Sequence, residues 1–221
     1  MDYKGPTEDD LANIRALNRY FLVAIAEADA AAFGELATRR LSDSQRARLA
    51  GAPFLLFSFR EQDNNYWQHV LSDDPQIDLS ESHDLPSDKV RHLQVAGLAF
   101  LWQLACRNPY VTRVVSGAPV SWCEQLAGST LASLLDRAAS RSDLLCARFA
   151  DEDNIWRRLL GSGVHVQRSL RRTSHHCALQ VLLTRVSEVH PDVVSAAACS
   201  MQDPVRRRAL RAGDSVRETK V

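Results

Sequence analysis

LLFSFREQDNNYWQHVL, Leu55 to Leu71, and LLCARFADEDNIWRRLL, Leu144 to Leu160, are the stretches whose reading decides the fold. They align without a gap, 89 residues apart. Leu55/Leu144, Leu56/Leu145, Asn65/Asn154, Trp67/Trp156 and Leu71/Leu160 are identical, and Asp63/Glu152, Tyr66/Ile155 and Val70/Leu159 keep their character. Upstream, a helical run containing Phe21-Leu22 precedes the first copy, and Phe100-Leu101 precedes the second. Between run and motif, LSDSQRARLA (Leu41 to Ala50) lies opposite LAGSTLASLL (Leu126 to Leu135), sharing Leu-x-x-Ser and a later Ala-x-Leu. The pattern reads as one module of roughly 75 residues written twice, and a repeat of that length governs the choice of architecture.

Composition sets the class. The 221 residues are 45% apolar and 24% charged, ordinary values for a soluble globular chain. No apolar run approaches the ~20 residues that span a bilayer. The first residues, MDYKGPTEDD, are acidic and polar, which does not fit a signal peptide and makes the cytoplasm the expected location. None of the five cysteines forms a C-x-x-C pair or a zinc-type Cys/His spacing. An odd count without a leader predicts reduced, mostly buried thiols.

Net charge is zero, but its distribution is not even. Ser72 to Lys89 holds six acids and one base, whereas Asn154 to Ser187 holds six arginines and no acid. Arg206, Arg207, Arg208 and Arg211 follow. A neutral average with a basic C-terminal third suggests a polyanionic partner there; the bland alternative is a solvated helix face plus a loose tail.

Periodicity predicts helices almost throughout. Thr7 starts the first, with Asp10 in its opening turn and Leu11, Ile14, Leu17, Phe21 and Ile25 on one face. A short helix is expected over Asp29 to Thr38. Ser42-x-x-Gln45 is a capping box, so a helix should run from Asp43 to Ala50, closed by Gly51 and Pro53. Phe54 to Phe59 reads either as a short strand or as a buried helical turn, and Asp63 to Leu71 as a helix. After an acidic linker, Val90, Leu93, Gly97, Phe100, Leu101 and Leu104 mark a long helix that stops before Asn108-Pro109. Ser116 to Pro119 is a turn, and Ser121 to Arg137 is helical with a break at Gly128. Beyond the second motif, Gln167 to Arg172 is Arg-rich, Cys177 to Val189 is amphipathic, and Asp203-Pro204 opens a last basic turn.

At Leu41 to Arg60, LSDSQRARLAGAPFLLFSFR resembles the central segment of the flagellar master-regulator subunit FlhD. In that family a helix with the pattern L-x-x-x-Q-x-x-(K/R)-L-A leads into an apolar stretch ending in F-R. Leu41, Gln45, Arg48, Leu49, Ala50, Leu55, Phe59 and Arg60 fit it in one ungapped run, and Tyr20 to Ala24 is similar to the Y-L-L-L-A of the family's first helix. The resemblance covers residues 10–72 and reaches 90–160 through the repeat. It implies a mostly helical, dimer-forming protein that acts with a zinc-binding partner, FlhC, in a transcription-activating complex. The expected fold is all-α. Two FlhD-like modules, 8–72 and 89–162, form an intramolecular pseudo-dimer joined by an acidic linker, 73–88, with a basic helical extension over 163–221. Cys146 stands where FlhD proteins can carry a cysteine, but Phe57 occupies the matching place in the first copy, so no disulfide joins the modules there.

The candidate residues follow. Leu55, Leu56, Trp67, Leu144, Leu145 and Trp156 are expected at the core and module interface, the tryptophans as packing anchors rather than ligand platforms. Asp63, Asp151, Glu152 and Asp153 read as helix N-terminal acids rather than acid/base catalysts. His175, His176 and Cys177, with His165, are a weak metal candidate, because adjacent helical residues point about 100° apart. No P-loop, GxGxxG or nucleophile triad pattern is visible, so no enzyme activity, cofactor, small-molecule substrate or membrane is expected. Arg157, Arg158, Arg168, Arg171, Arg172, Arg206, Arg207 and Arg208 are the expected DNA contacts, since guanidinium suits phosphate and guanine edges. Lacking interleaved aromatics, they suit a duplex backbone better than a single strand. The expected function is a DNA-binding, FlhD-like regulator subunit with an FlhC-like partner. The alternative is an adaptor or anti-activator of the same fold that binds protein instead of DNA.

Overall fold

The computed structural model describes residues 5–27, 41–71, 88–139, 141, 143–150 and 152–185. All fall within the first of the chain's two compact units, Met1–Val186. The expected helix over 29–38, the linker over 73–88 except Asp88, which begins a helix, and the basic segment at 203–211, with Arg206, Arg207 and Arg208, lie outside the described residues.

The described chain is mostly helical. Its helices are α1 (Glu8–Glu27), α2 (Asp43–Leu49), α3 (Asn64–Leu71), α4 (Asp88–Arg107), α5 (Pro109–Ser116), α6 (Val120–Gly128), α7 (Leu131–Ala139), α8 (Asp153–Gly161) and α9 (Arg168–Arg185). Two short strands, β1 (Phe57–Ser58) and β2 (Cys146–Ala147), pair antiparallel. Among the described residues no helix is long and apolar enough to cross a membrane.

Local chemistry sets the helix starts. Thr7 Oγ1 accepts from the Asp10 amide at 3.2 Å, and the Asp10 carboxylate accepts from the Thr7 amide at 2.8 Å. Ser42 and Gln45 make the same reciprocal pair at α2, each satisfying donors that the helix leaves open. Asn108-Pro109 has two roles. It stops α4 and starts α5, with Asn108 Oδ1 accepting from the Tyr110 amide at 3.0 Å and Pro109 in the first turn. The expected stop is thus also a start. Gly117 then ends α5 at φ 69°, a left-handed position that suits glycine.

Phe54 to Phe59 forms the middle of the core, all buried except the half-buried Ser58. Phe57 and Ser58 form a strand and no residue of the stretch is helical, which resolves the strand-or-helix ambiguity. Its backbone groups are satisfied from several directions, as burial requires. The Leu55 amide donates to Val115 O at 3.0 Å, and the Leu56 amide donates to Asn18 Oδ1 at 2.9 Å. Fully buried Asn18 also donates to Phe54 O at 2.9 Å, so one α1 side chain fixes the start of this run on both sides of Leu55. Phe57 packs on Phe21 of α1 at 5.3 Å and edge-on against Phe59 at 5.4 Å.

α1 and α4 run antiparallel across this layer. Arg107, at the end of α4, grips both oxygens of Asp10, near the start of α1, at 2.6 Å, and Tyr20 meets the His92 ring at 5.9 Å. On α4, Leu93, Gly97, Phe100, Leu101 and Leu104 are buried, as the period predicts. α6 and α7 then cover another side of α4, where Trp102 donates to Ser129 O at 2.8 Å.

Gly97 shows how tight the α4 contact is. A Cβ there would lie 2.7 Å from Phe59 Cζ and 3.2 Å from Phe57 Cε2. Gly97→Ala is therefore expected to lower stability by about 1–2 kcal/mol despite alanine's better helix propensity, because the buried rings have no room to yield. Urea unfolding measures it; a variant as stable as the parent or more so would show that the ring stack is looser than described.

Candidate nucleic-acid interface

The basic residues sit on a helical hairpin, α8 and α9, joined by residues 162–167. α8 is held by one face: Ile155, Trp156, Leu159 and Leu160 are buried, while Arg157 and Arg158 are exposed. α9 buries Ser174, His175, Ala178 and Leu182 at turn spacing. Ser174 Oγ donates to Arg158 O at 3.2 Å, fastening α9 to the end of α8. A Cβ on Gly117 would lie 2.3 Å from Leu182 Cδ1, so Leu182 seats against bare backbone at the end of α5. The described parts of the Arg-rich and amphipathic segments thus form one helix, Arg168–Arg185.

The arginines divide by role. Arg168 and Arg172 are exposed one turn apart on α9. Arg171 is half-buried and donates to His165 O at 2.9 Å and Val166 O at 3.3 Å, so it braces the loop before α9. Four exposed guanidiniums, Arg157, Arg158, Arg168 and Arg172, remain on a hairpin with no acid between Asn154 and Arg185. At the positions 89 residues before Arg157 and Arg158 stand Gln68 and His69, so the Leu55 to Leu71 stretch carries no arginine at either place.

The core candidates are all buried: Leu55, Leu56, Trp67 and Leu144 fully, Leu145 and Trp156 nearly so. Trp67 packs edge-on against Trp122 at 5.2 Å. Asp63 Oδ1 accepts from the Tyr66 amide at 2.9 Å and starts α3, while Asp153 lies in the first turn of α8. Glu152 precedes α8 without a side-chain cap bond, and Asp151 lies outside the described residues.

Two features had no signal in the sequence reading. The first is Arg148. Its guanidinium is buried and donates to Leu55 O at 2.6 Å, to Phe57 O, to Ser116 O and to Glu61 Oε1 at 3.0 Å. Glu61 is buried too and accepts from Ser58 Oγ. The second joins the two motifs at their rim. Tyr66 lies under the Arg60 guanidinium at 4.3 Å and donates its hydroxyl to Asp143 at 2.9 Å, and Arg60 pairs with Asp143 at 2.9 Å. Burial first, then the Asp143 charge, raises the Tyr66 phenol, which stays protonated as a donor.

Among the described residues no three His, Cys, Asp or Glu side chains gather as a metal-ligand set. His165 is exposed and its Nδ1 accepts from the Gln167 amide at 3.0 Å; His176 is exposed. Burial pushes the Cys123 thiol up to about 12, helped by Glu61, and raises Cys146 as well, so both are thiols at neutral pH. The chain matches no family model, no curated protein and no solved structure among those with which it was compared.

His175 is buried at the α8–α9 contact, and its Nε2 finds no hydrogen-bond partner among the described residues. Burial, then the Arg171 charge, pulls its pKa down to about 4, against the pull of the Gly163 backbone. The unfolded chain therefore binds a proton near pH 6.5 that the folded chain refuses until about pH 4. This contribution is fully present above pH ~6.5 and is lost as the pH falls toward 4, on the order of 3 kcal/mol in all. His175→Leu should flatten the fall in urea midpoint between pH 7 and pH 4.5; an unchanged slope would remove His175 as its source.

Proposed function

We propose that the chain is a transcription-regulator subunit made of two FlhD-like modules in one polypeptide, binding duplex DNA through the α8–α9 hairpin beside an FlhC-like zinc-binding partner. The observation that carries the DNA contact is the acid-free hairpin exposing Arg157, Arg158, Arg168 and Arg172. Guanidiniums on a rigid support suit phosphate oxygens, and Coulomb attraction to a polyanion needs no shaped pocket.

Several features 89 residues apart support the duplicated-module reading. The strand register is Phe57 with Ala147 and Ser58 with Cys146. Cys146 and Ala147 are the alignment partners of Phe57 and Ser58, so the pairing exchanges the two copies, as a two-fold axis demands. Arg60 and Phe149, also 89 apart, are the only non-glycine residues with positive φ among those described, at 56° and 58°. Trp67 Nε1 donates to Phe59 O at 2.9 Å, and Trp156 Nε1 donates to Arg148 O at 2.6 Å. Arg48 donates to Val164 O at 2.7 Å, just past α8, and Arg137 donates to Leu71 O, at the end of α3. Arg48 and Arg137, 89 residues apart, thus each meet a carbonyl at or just past the end of the other motif's helix.

The second reading, a protein-binding adaptor, is favoured by Val166 and Leu170. They are 76% and 44% exposed beside the arginines, and exposed apolar side chains suit a protein groove better than a phosphate backbone.

Fluorescence anisotropy with fragmented genomic duplex across a salt series separates the readings. The parent chain should bind with affinity falling steeply as salt rises. Replacing Arg157, Arg158, Arg168 and Arg172 by Ala should weaken binding on all sequences and reduce the log–log salt slope by about 0.9 per lost phosphate contact. Undiminished binding by the variant would move the contact elsewhere. Loss of an acidic peptide partner through Val166→Ser and Leu170→Ser, with no DNA binding by the parent, would favour the adaptor.

A further inference from the structure

α1 and α4 run antiparallel as neighbours, yet their outward faces differ. The outer face of α4 carries α6 and α7, with Trp102 hydrogen-bonded to Ser129. Among the described residues no helix covers the outer face of α1, where Asp9, Ala12, Ala16, Arg19 and Val23 are all exposed. Their spacing of three and four residues is the seam of a helix-packing face rather than a scattered surface. Tyr20, 57% exposed, and Val23, 42% exposed, give that face apolar area. Beside it opens a groove of about 490 Å³ between α1 and α4, walled by Ala16, Leu17 and Tyr20 on one side and Ala99 and Phe100 on the other.

We propose that this face of α1 docks a second copy of the chain, helix on antiparallel helix about a two-fold axis, covering the groove mouth. The occupant follows from charge. The face is acidic at its start, Glu8 and Asp9, and basic further on, Arg15 and Arg19, all exposed. A parallel neighbour of the same sequence would set like charges together. An antiparallel one crossing between Ala12 and Ala16 sets Asp9 of each copy against Arg19 of the other. Asp9 and Arg19 are ten residues apart, roughly 15 Å along the helix, so the two ion pairs bracket the crossing. Ala12 and Ala16 let the backbones approach to the short end of the 8–10 Å usual for packed helices. Among the described residues competition is slight: Arg19 lends a small field to Asp43, whose carboxylate is held low first by Arg46. A two-fold contact is self-complementary and closes at two copies. It does not depend on the DNA reading.

Sedimentation velocity of the full chain over a wide concentration range tests it. The parent should shift from monomer to dimer as concentration rises. Asp9→Arg or Arg19→Glu each places like charges together at two symmetric points and should weaken association on the order of tenfold or more. The double variant, Asp9→Arg with Arg19→Glu, should restore it. Ala16→Gln, which keeps helix propensity but blocks close approach, should also dissociate the pair, with far-UV circular dichroism showing the fold intact. A parent that stays monomeric at every concentration overturns the proposal. So does a dimer indifferent to all these substitutions, or single-variant losses that the charge swap does not restore.

Discussion

The interaction on which the rest depends is the buried Arg148 guanidinium. It comes from the second motif and spends its donors on the first: Leu55 O, Phe57 O and Glu61, with Ser116 O at the end of α5 as a further acceptor. A buried charge costs several kcal/mol to desolvate, and only partners in good geometry offset that cost. Two of the partners here, Leu55 O and Phe57 O, are carbonyls of the Phe54–Phe59 stretch, whose sheet is only two residues long. The guanidinium does for this stretch what further strands would do in a larger sheet. Removing either member of the Arg148–Glu61 pair would leave the other as an uncompensated interior charge, typically a loss of ~3–5 kcal/mol. The two motifs are therefore tied where neither could be left alone.

Around that tie, geometry repeats but chemistry does not. Arg60 and Phe149 both turn through left-handed backbone, a conformation costing on the order of 1–3 kcal/mol at a non-glycine residue. In each case the turn aims the following tryptophan at the carbonyl just before it, Phe59 O or Arg148 O. The side chains at those two carbonyls, however, differ fully. Phe59 fills the space that Gly97 leaves on α4, whereas Arg148 reaches across to the first motif. A symmetric pair of arginines there would put two cations in one interior. One aromatic and one cation with its glutamate is the combination that closes the core.

How much was legible in the residues varies with the range of the interaction. Caps depend on neighbours three positions apart, so Thr7–Asp10 and Ser42–Gln45 could be read directly. The long buried faces of α1 and α4 follow from periodicity alone. Asn108-Pro109 was read half correctly, because a proline that cannot extend one helix is well suited to begin the next. α9 was split in two because arginines and histidines interrupt its apolar count, although His175 is in fact on the inner face. Arg148 and Glu61 were invisible, since a charge in a sequence reads as surface until long-range packing supplies its partners. Arg171 stands among the expected DNA contacts for the same reason; its acceptors, His165 O and Val166 O, are backbone groups that no pattern announces.

The attachment of α9 bears on what its arginines can do. A cation on a frayed terminus loses conformational freedom when it meets a partner, and that loss weakens the contact. The first turns of α9 are restrained instead. Arg171 holds the entry loop, Ser174 holds the end of α8, and Leu182 sits against Gly117, the residue after the Ser116 carbonyl that Arg148 grips. The same buried guanidinium that joins the motifs thus stands one residue from the seat of the basic hairpin. Charges presented from a support of this kind keep their spacing on binding, which lowers the ordering cost of the contact proposed above, whether the partner is a phosphate backbone or an acidic protein.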